Sequence, residues 1–272
     1  MASFAFIIGA MKAGTTSLYD SLVKHEKIYP CLSKEPHFFC ENSVDIYNVD
    51  CFYDLWPDYV ESVDGYFIEA STGYSKFPFE QGVPKKIRAM ELDAKFIYIV
   101  RNPFERMESH YNFMRRRKYF DKNIDDNHLI QVSNYGAQLR IYLDEGFKIE
   151  DFLVVDFCDL KDHPTLVYQR VLQFLCLSAD SVEAIDHKNK TDATNKLSLY
   201  LINSPFRPLL RFLPSSIKGA IKTLFNKMLP SKEDRVLLTV EQRRYVAGRL
   251  QEDMSYFCRV TGYDISKWGF DR

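Results

Sequence analysis

The sequence lacks an excess of charge of either sign. Among its 272 residues, 36 lysines and arginines stand against 37 aspartates and glutamates, so the formal net charge is −1. Proteins that bind nucleic acid through their overall field carry a clear excess of positive charge. We therefore expect no nucleic-acid partner, and any basic binding site must be local.

Long apolar runs are also missing. None approaches the roughly 20 residues of a membrane span, and the apolar start at residues 4–9 is too short for a signal peptide. The six cysteines show no CxxC spacing and no histidine cluster beside them, so we expect no metal site. Cysteines in apolar contexts suit reduced thiols, which predicts a cytoplasmic location.

The chain has no internal repeat and no low-complexity linker, which predicts one domain over residues 1–272. Four β-rich apolar runs are typical of strands buried on both faces of a parallel sheet, and they cover residues 4–9, 66–70, 95–101 and 151–157. Helical patterns alternate with them, which predicts an α/β fold with a central parallel sheet flanked by helices. Ligands bind beyond the carboxyl ends of such strands, so the loops after Gly9, Ala70 and Arg101 should face one site.

The stretch FIIGAMKAGTTSLYDSL, residues 6–22, joins a strand to a helix through a loop with several groups that can bind an anion. Gly9 allows the turn, Gly14 allows close approach of the backbone, and Lys12 adds a positive charge. The helix start adds N–H groups and the positive end of its dipole. Hydroxyl donors follow at Thr15, Thr16 and Ser17. The loop is therefore P-loop-like and predicts a phosphate site.

The order of residues differs from that of the nucleoside triphosphate P-loop. There the lysine follows the second glycine, and a hydroxyl residue binds magnesium. Here Lys12 precedes Gly14, and no later strand ends in an obvious metal-binding aspartate. A triphosphate with magnesium is therefore disfavoured.

A second anion site is predicted in KFIYIVRNPFERMESHYNFMRRR. Arg101 ends a buried strand, and Ser109 lies two turns into the helix that Pro103 opens. A guanidinium and a hydroxyl suit a separate phosphate, although an ion pair of the arginine with Glu105 or Glu108 is the alternative. Two such sites on neighbouring strand ends indicate a nucleoside with phosphates at both ends.

Together, KAGTTSL after the first strand and VRNPFERMESHY at a later one resemble the PAPS-dependent sulfotransferases (PAPS is 3′-phosphoadenosine 5′-phosphosulfate). The likeness extends to the final GYDISKW and is greatest to the branch with heparan sulfate sulfotransferases and bacterial relatives. It implies PAPS as donor, with the lysine loop at the 5′-phosphosulfate and the arginine and serine at the 3′-phosphate. The matching positions are Lys12, Ala13, Gly14, Thr15, Thr16, Ser17, Arg101 and Ser109, with Lys188, Asn189 and Lys190 added from a basic loop.

The segment SKEPHFF, residues 33–39, predicts the acceptor site. Pro36 favours extended or turned backbone and the two phenylalanines can anchor the segment, which leaves Glu35 and His37 on one side. In the resembled branch a glutamate in such a stretch is the base, which implies Glu35; cytosolic sulfotransferases use a histidine, which makes His37 the second choice. Lys12 would neutralise the bridging oxygen as the bond to sulfur breaks.

Glu69 ends another predicted strand and is expected to orient the acceptor or Lys12. Carbohydrate-acting relatives often carry a lysine just after this glutamate, where this chain has Ala70. That departure weakens the case for a heparan-like polysaccharide. The acceptor classes that stay open are a glycan, a lipid, a small metabolite and a carrier-tethered acyl chain.

Residues 203–232 form a basic insertion, and residues 206–228 within it are amphipathic. They would form a lid helix on the domain, a dock for an acidic partner, or a peripheral membrane contact. The sequence as a whole predicts a metal-free enzyme that transfers the sulfuryl group of PAPS to a hydroxyl, with an amine as the weaker choice. The alternatives are a P-loop nucleotide kinase and a non-enzymatic nucleotide-binding or membrane-docking module.

Overall fold

The computed structural model describes residues 2–40, 49–57, 59–116, 122–178 and 235–271. Every helix in these ranges is too short or too polar to serve as a membrane span. The prediction of one domain over the whole chain stays a prediction, because residues 179–234 lie outside this description. The basic insertion at 203–232 and its amphipathic part at 206–228 fall in that gap.

Five parallel strands form one sheet in the order β2-β3-β1-β4-β5. They are β1 (Ser3–Gly9), β2 (Ile28–Pro30), β3 (Tyr66–Glu69), β4 (Asp93–Val100) and β5 (Phe152–Asp156). The predicted α/β fold with a P-loop-like central parallel sheet flanked by helices is confirmed. Strand β2 was not predicted, since three residues that end in a proline at the sheet edge show no strand pattern.

Nine helices flank the sheet in the described ranges. They are α1 (Thr15–Leu22), α2 (Val49–Tyr53), α3 (Val83–Ala89), α4 (Pro103–Arg116), α5 (Asn127–Gln131), α6 (Tyr135–Asp144), α7 (Phe157–Asp162), α8 (Pro164–Phe174) and α9 (Val240–Thr261). The sequence predicted the longer ones and missed α2, α5 and α7, which have only five or six residues each.

Aromatic side chains fill one face of the sheet and anchor the SKEPHFF segment there. Phe6 of β1 stacks on Phe96 of β4 at 5.8 Å between ring centroids. Phe39 packs edge-on against Phe6 at 6.1 Å and is fully buried. The phenylalanine anchor that the sequence predicted is therefore present, and it places Glu35 and His37 beside the sheet.

The strand order brings three loops to one edge. Strands β3, β1 and β4 are neighbours and run parallel, so the loops after Glu69, Gly9 and Val100 leave the sheet on the same side. After β3 the chain forms a short 3₁₀ turn, Thr72–Ser75, that packs against the end of β1. A Cβ on Gly9 would lie 2.0 Å from Ser75 Oγ, so only glycine fits at this contact.

The C-terminal GYDISKW motif closes onto the end of β5. Tyr263 donates a hydrogen bond from its hydroxyl to Asp156 Oδ2 at 2.7 Å, and Lys267 forms an ion pair with the same carboxylate. The ring of Trp268 packs against Tyr135 at 5.9 Å. The motif therefore supports the carboxyl end of the sheet, next to the loops described above.

Candidate active site

The loop after β1 curls towards the start of α1. Lys12 and Gly14 both have positive φ angles, 70° and 85°, and Ala13 N donates to Ala10 O at 3.1 Å. Gly14 is the residue just before α1, and a Cβ there would lie 3.1 Å from the ring of Phe157. The first turn of a helix leaves N–H groups without intrahelical acceptors, so this curl presents donors suited to an anion.

The hydroxyl residues of this loop differ in their access to solvent. Thr16 is exposed and Ser17 is half-buried, whereas Thr15 is 5% exposed. Thr16 and Ser17 can therefore offer hydroxyl donors to a ligand. Thr15 contributes mainly its backbone position at the start of α1.

The Lys12 side chain crosses to helix α4. Its Nζ lies 4.1 Å from the centroid of the Phe113 ring, which places the ammonium over the ring face. A cation–π contact of this kind does not itself neutralise the charge of a lysine.

Arg101 lies between the lysine loop and α4. Its Nη1 donates to the main-chain oxygen of Lys12 at 3.2 Å, and its Nη2 contacts Glu105 Oε2 at 3.0 Å. The guanidinium also lies 4.5 Å from the centroid of the Phe157 ring. The ion pair with Glu105 that the sequence offered as an alternative is thus present. Glu108 instead pairs with Arg243 at 2.7 Å.

The backbone of Arg101 is held by the buried Tyr135. The tyrosine hydroxyl donates to Arg101 O at 2.6 Å and accepts from Arg101 N at 3.3 Å. Burial raises the pKa of Tyr135 to about 12, so this hydroxyl keeps its proton and the donated bond at neutral pH.

Ser109 lies on the face of α4 that runs between the two cations. Glu105, Ser109 and Phe113 follow one another at intervals of four residues, which places them on one side of the helix. Glu105 binds Arg101 at one end of this row, and Phe113 carries Lys12 at the other. The half-buried Ser109 is therefore positioned between the arginine and lysine contacts.

The acceptor segment has strained backbone at two positions. Glu35 and His37 have φ angles of 62° and 54°, in the left-handed region that non-glycine residues seldom adopt. Glu35 Oε1 lies 2.6 Å from Lys34 Nζ, and Glu35 Oε2 lies 3.6 Å from His37 Nε2. Thr72 Oγ1 contacts the same Oε2 at 3.5 Å. The predicted Glu35–His37 pair is thus brought together, with a lysine on its other side.

These neighbours keep Glu35 ionised. Burial alone raises the pKa of its carboxyl, but the hydrogen bonds with His37 and Lys34 and their positive charges outweigh it and lower the pKa to about 2. Glu35 is therefore a carboxylate throughout the physiological range, which is the form that can accept a proton.

Glu69 is fully buried at the end of β3 and has no access to solvent. Ser71 Oγ donates to Glu69 Oε2 at 3.2 Å and accepts from His37 N at 3.0 Å, while Glu69 Oε1 has no hydrogen-bond partner in the part of the chain that the structure describes. Burial raises the pKa of Glu69 to about 8, although hydrogen bonds with Tyr74 and Ser71 act in the opposite direction and lower it. Glu69 thus contacts the backbone of His37 through Ser71, and its expected role toward the acceptor or Lys12 stays a prediction.

The 3₁₀ turn Thr72–Ser75 joins the acceptor segment to the lysine loop. Thr72 contacts Glu35, and a Cβ on Gly73 would lie 2.8 Å from His37 Nδ1 and 2.5 Å from Cys40 Sγ. Ser75 at the other end touches Gly9. The turn therefore sets the spacing between the two predicted sites.

An apolar cavity of about 270 Å³ opens where β2 ends, shortly before Glu35 in the chain. Among the described residues, no charged side chain lines it; those that do are Tyr29, Pro30, Cys31, Leu32, Trp56, Pro57 and Phe67. A more open depression of about 580 Å³ lies between residues 122–126 and Tyr245, and no predicted site residue is among its described lining residues.

The remaining predicted residues, Lys188, Asn189 and Lys190, lie outside the described ranges. Within those ranges, no three histidine, cysteine, aspartate or glutamate side chains group closely enough to hold a metal ion. The sequence did not indicate the aromatic partners of the two cations, Phe113 and Phe157. Their spacing in α4 and α7 is that of ordinary amphipathic helices, so only tertiary structure shows these contacts.

Comparison with known proteins assigns the family. A family model described as sulfotransferase domain matches residues 4–201. The human heparan sulfate glucosamine 3-O-sulfotransferase 3B1 is 34% identical over 201 residues, which cover 69% of this chain and 49% of that protein. The chain thus spans about half the length of the curated relatives it matches.

Solved structures agree on the fold. A sulfotransferase from Alicyclobacillus acidocaldarius superposes with a TM-score of 0.68 at 20% identity and covers 99% of each chain. A mouse sulfotransferase solved in complex with PAP gives a TM-score of 0.51 at 13% identity, over 96% of this chain and 89% of that one. The family-model match covers well over half of the sequence, and this chain therefore belongs to the sulfotransferase family.

Proposed function

We propose that this enzyme transfers the sulfuryl group of PAPS to a hydroxyl group of an acceptor. The observation that carries the proposal is the hydrogen bond between Arg101 and the main-chain oxygen of Lys12, which joins two cationic sites at the ends of β1 and β4. A ligand with separate 5′ and 3′ charges fits this arrangement. The PAP ligand of the mouse sulfotransferase, which shares the fold, supports the same donor.

Lys12 and the loop through Ser17 would hold the 5′-phosphosulfate, with backbone N–H groups at the start of α1 and the hydroxyls of Thr16 and Ser17 as donors. Arg101 and Ser109 would hold the 3′-phosphate. As the bond from sulfur to the bridging oxygen breaks, the Lys12 ammonium stabilises the negative charge that develops there. The leaving group is PAP, which is PAPS without its sulfuryl group and is also called 3′,5′-ADP; it keeps both phosphates.

Glu35 is the residue we propose as the general base. The acceptor oxygen forms a bond to sulfur, and its proton passes to the Glu35 carboxylate. The low pKa of Glu35 keeps this carboxylate ionised but also makes it a weak base. The proton is therefore transferred as the new bond forms, when the acceptor oxygen becomes acidic. His37, 3.6 Å from Glu35 Oε2, is the second candidate.

Two observations bear on the acceptor. The curated relatives are named for heparan sulfate, which points to a glycan hydroxyl. The residues that the structure describes around the cavity at the end of β2 are uncharged, which fits a lipid, an acyl chain or another acceptor with an apolar group. We favour the apolar classes, because Ala70 replaces the lysine that carbohydrate-acting relatives often carry. An amine acceptor is the weaker choice.

The test is transfer of labelled sulfate from PAPS to a panel of glycan, lipid, small-molecule and carrier-tethered acyl acceptors. We expect transfer to at least one class without added metal, and no transfer by Lys12→Ala. Lys85→Ala, which changes an exposed lysine on α3, is the matched control and should keep activity. Phosphoryl transfer from ATP with magnesium, without sulfuryl transfer from PAPS, would overturn the proposal.

A further inference from the structure

We propose that Ser71 is a positioning residue for the acceptor site: its hydroxyl holds the main-chain N–H of His37 and so keeps the His37 ring beside the Glu35 carboxylate. The inference rests on the proposed function, because it takes Glu35 as the base and His37 as its neighbour. It goes further in adding a residue of the turn after β3 to the parts of the chain that shape this site.

The Ser71 hydroxyl is buried and makes two hydrogen bonds. It accepts from His37 N at 3.0 Å and donates to Glu69 Oε2 at 3.2 Å. Ser71 and Glu69 are both 0% exposed, so water does not compete for these bonds. A buried hydroxyl is costly unless it is hydrogen-bonded. The Glu69 carboxyl therefore fixes the direction of the hydroxyl proton, and a lone pair of the same oxygen accepts the His37 amide.

Ser71 is at a position where a serine usually caps a helical turn. It directly precedes the 3₁₀ turn Thr72–Ser75, and a serine there normally accepts a hydrogen bond from an N–H group within the turn. The Ser71 side chain makes no such bond to this turn, all of whose residues the structure describes. Its hydroxyl instead binds His37, 34 residues earlier in the chain. The contact with the acceptor segment is therefore not a result of local capping.

The backbone of His37 needs such support. Its φ angle of 54° is in the left-handed region, which costs free energy for a residue with a Cβ and persists where the surroundings impose it. The segment around His37 forms neither a helix nor a strand, so regular secondary structure does not impose this angle. Loss of the bond to Ser71 would allow φ to return to the ordinary negative range, and the ring would then change direction.

The two residues after Ser71 contact the rest of the acceptor pair. Thr72 Oγ1 lies 3.5 Å from Glu35 Oε2, and a Cβ on Gly73 would lie 2.8 Å from His37 Nδ1. His37 Nε2 lies 3.6 Å from the same Glu35 oxygen. Three successive residues of the turn therefore meet the pair at its backbone, its carboxylate and its ring. Ser71 connects these contacts to the end of β3.

The end of the acceptor segment is held without Ser71. Phe39 N donates to the Tyr74 hydroxyl at 3.3 Å, and the Phe39 ring is fully buried. Lys86 Nζ donates to Phe39 O at 3.1 Å. Loss of the Ser71 hydroxyl should therefore leave Phe39 in place and release the part of the segment that carries Glu35.

The first test compares sulfuryl transfer by Ser71→Ala and by Ser133→Ala. Ser133 is the matched control, because it is also 0% exposed and its hydroxyl accepts a hydrogen bond from Arg106 Nε at 2.8 Å. We expect Ser71→Ala to lower kcat about tenfold to hundredfold, because a displacement of about 1 Å at a reacting group costs as much as a hundredfold. Its affinity for 3′,5′-ADP, measured by calorimetry, should not change. Ser133→Ala should keep the kcat of the wild type.

Two kinetic outcomes would overturn the inference. An unchanged kcat in Ser71→Ala would show that the hydroxyl does not place the pair. Equal losses of kcat in the two serine variants would show a general effect of losing a buried hydroxyl. If Ser71→Ala does not fold, Ser71→Cys takes its place, because a thiol fills the site but accepts hydrogen bonds only weakly. The same loss of kcat is then expected.

The second test is an NMR titration of the Glu35 carboxyl in the ligand-free protein, with the signal assigned by its loss in Glu35→Gln. Burial raises the pKa of Glu35, but several effects, of which the hydrogen bond with His37 is the largest, lower it to about 2. If Ser71 holds His37 in place, Ser71→Ala should raise this pKa towards the ordinary 4.5, and Ser133→Ala should leave it unchanged.

An unchanged pKa of Glu35 in Ser71→Ala would overturn the inference, because His37 would then stay beside the carboxylate without the Ser71 hydroxyl. Absence of sulfuryl transfer by the wild type to every acceptor would instead overturn the proposed function. Because the titration needs neither donor nor acceptor, it distinguishes the second failure from the first.

Discussion

The guanidinium of Arg101 donates a hydrogen bond from Nη1 to the main-chain oxygen of Lys12 at 3.2 Å. This bond joins the end of β4 to the loop after β1, so the two proposed phosphate sites share a direct hydrogen bond. The same guanidinium contacts Glu105 and the ring of Phe157. A planar group with several donors can make these contacts together, whereas an ammonium cannot.

We therefore predict that Arg101→Lys weakens 3′,5′-ADP binding by roughly tenfold or more, although the charge is kept. The reason is that a lysine cannot bind a phosphate while it also holds the Lys12 carbonyl and Glu105. The measurement is calorimetric titration. Arg88→Lys, an exposed position on α3, should bind like the wild type. Equal affinities for Arg101→Lys and wild type would contradict the role given to this bond.

Glu35→Gln should lose about a hundredfold or more in kcat while 3′,5′-ADP binds with unchanged affinity. Glutamine keeps the shape of the side chain but cannot accept a proton. Sulfate transfer at saturating acceptor, alongside calorimetry, separates the two effects. Normal turnover by Glu35→Gln would transfer the role of base to His37, and His37→Gln is the variant to compare.

The pH at which kcat falls in acid should depend on the side chains that set the pKa of Glu35. Burial raises the pKa of the Glu35 carboxyl, but His37 and Lys34 lower it to about 2. Protonation of Glu35 should therefore reduce activity only in strong acid. Lys34→Met removes one of these partners, which raises the pKa of Glu35 and should move the acid limb of the profile to higher pH. Lys85→Met is the control and should leave the limb in place. An unmoved limb in Lys34→Met would refute this assignment.

Glu69 should make the protein less stable as pH rises. Its pKa is about 8 in the folded chain, against the ordinary 4.5, so between these values the unfolded chain ionises while the folded chain stays protonated. Stability contributed by Glu69 is therefore complete below about pH 4.5 and falls as pH rises towards 8. Glu69→Gln, which cannot ionise, should gain several degrees in Tm relative to wild type between pH 5 and pH 8.

Thermal unfolding across that pH range is the measurement for Glu69, with Glu145→Gln at an exposed position as the control. The Tm difference between Glu69→Gln and wild type should grow with pH, whereas the control should show no such trend. A constant difference would mean that Glu69 is ionised when folded.

Gly73→Ala should impair transfer and leave 3′,5′-ADP binding intact. A methyl group there would lie 2.5 Å from Cys40 Sγ and 2.8 Å from His37 Nδ1, so the acceptor segment must move while the lysine loop need not. Gly248→Ala is the matched control, because a methyl group there, in the interior of α9, meets no atom of the described residues within 4 Å. It should be neutral or stabilising by about 0.5–1 kcal/mol. Unchanged kcat in Gly73→Ala would contradict the placement of His37.

The central sheet could be predicted from sequence because β1 and β4 are buried on both faces and read as unbroken apolar runs. Strand β2 could not, since Ile28–Pro30 is too short to show a pattern and is defined by its pairing with β3. The pairing of Glu35 with His37 was also predictable, because Pro36 and the phenylalanine anchor are local signals.

Other features of the site depend on strand order and helix packing. In the sequence, Glu69 is a carboxylate near the end of a predicted strand, and nothing local indicates that it is buried. The structure pairs Glu69 with Phe6 of β1 in the sheet, where its side chain is fully buried. The contacts of Lys12 with Phe113 and of Arg101 with Phe157 join elements that are far apart in the chain. No local pattern specifies such contacts, because they depend on how α4 and α7 pack at the edge of the sheet.

The most direct test of the two-site donor pocket is a calorimetric titration of the metal-free protein with 3′,5′-ADP, beside a titration with ATP and magnesium. We predict that 3′,5′-ADP binds at one site per chain, that ATP with magnesium binds far more weakly, and that Lys12→Ala and Arg101→Ala each weaken the first titration. Tight binding of ATP with magnesium, together with no heat from 3′,5′-ADP, would contradict the account.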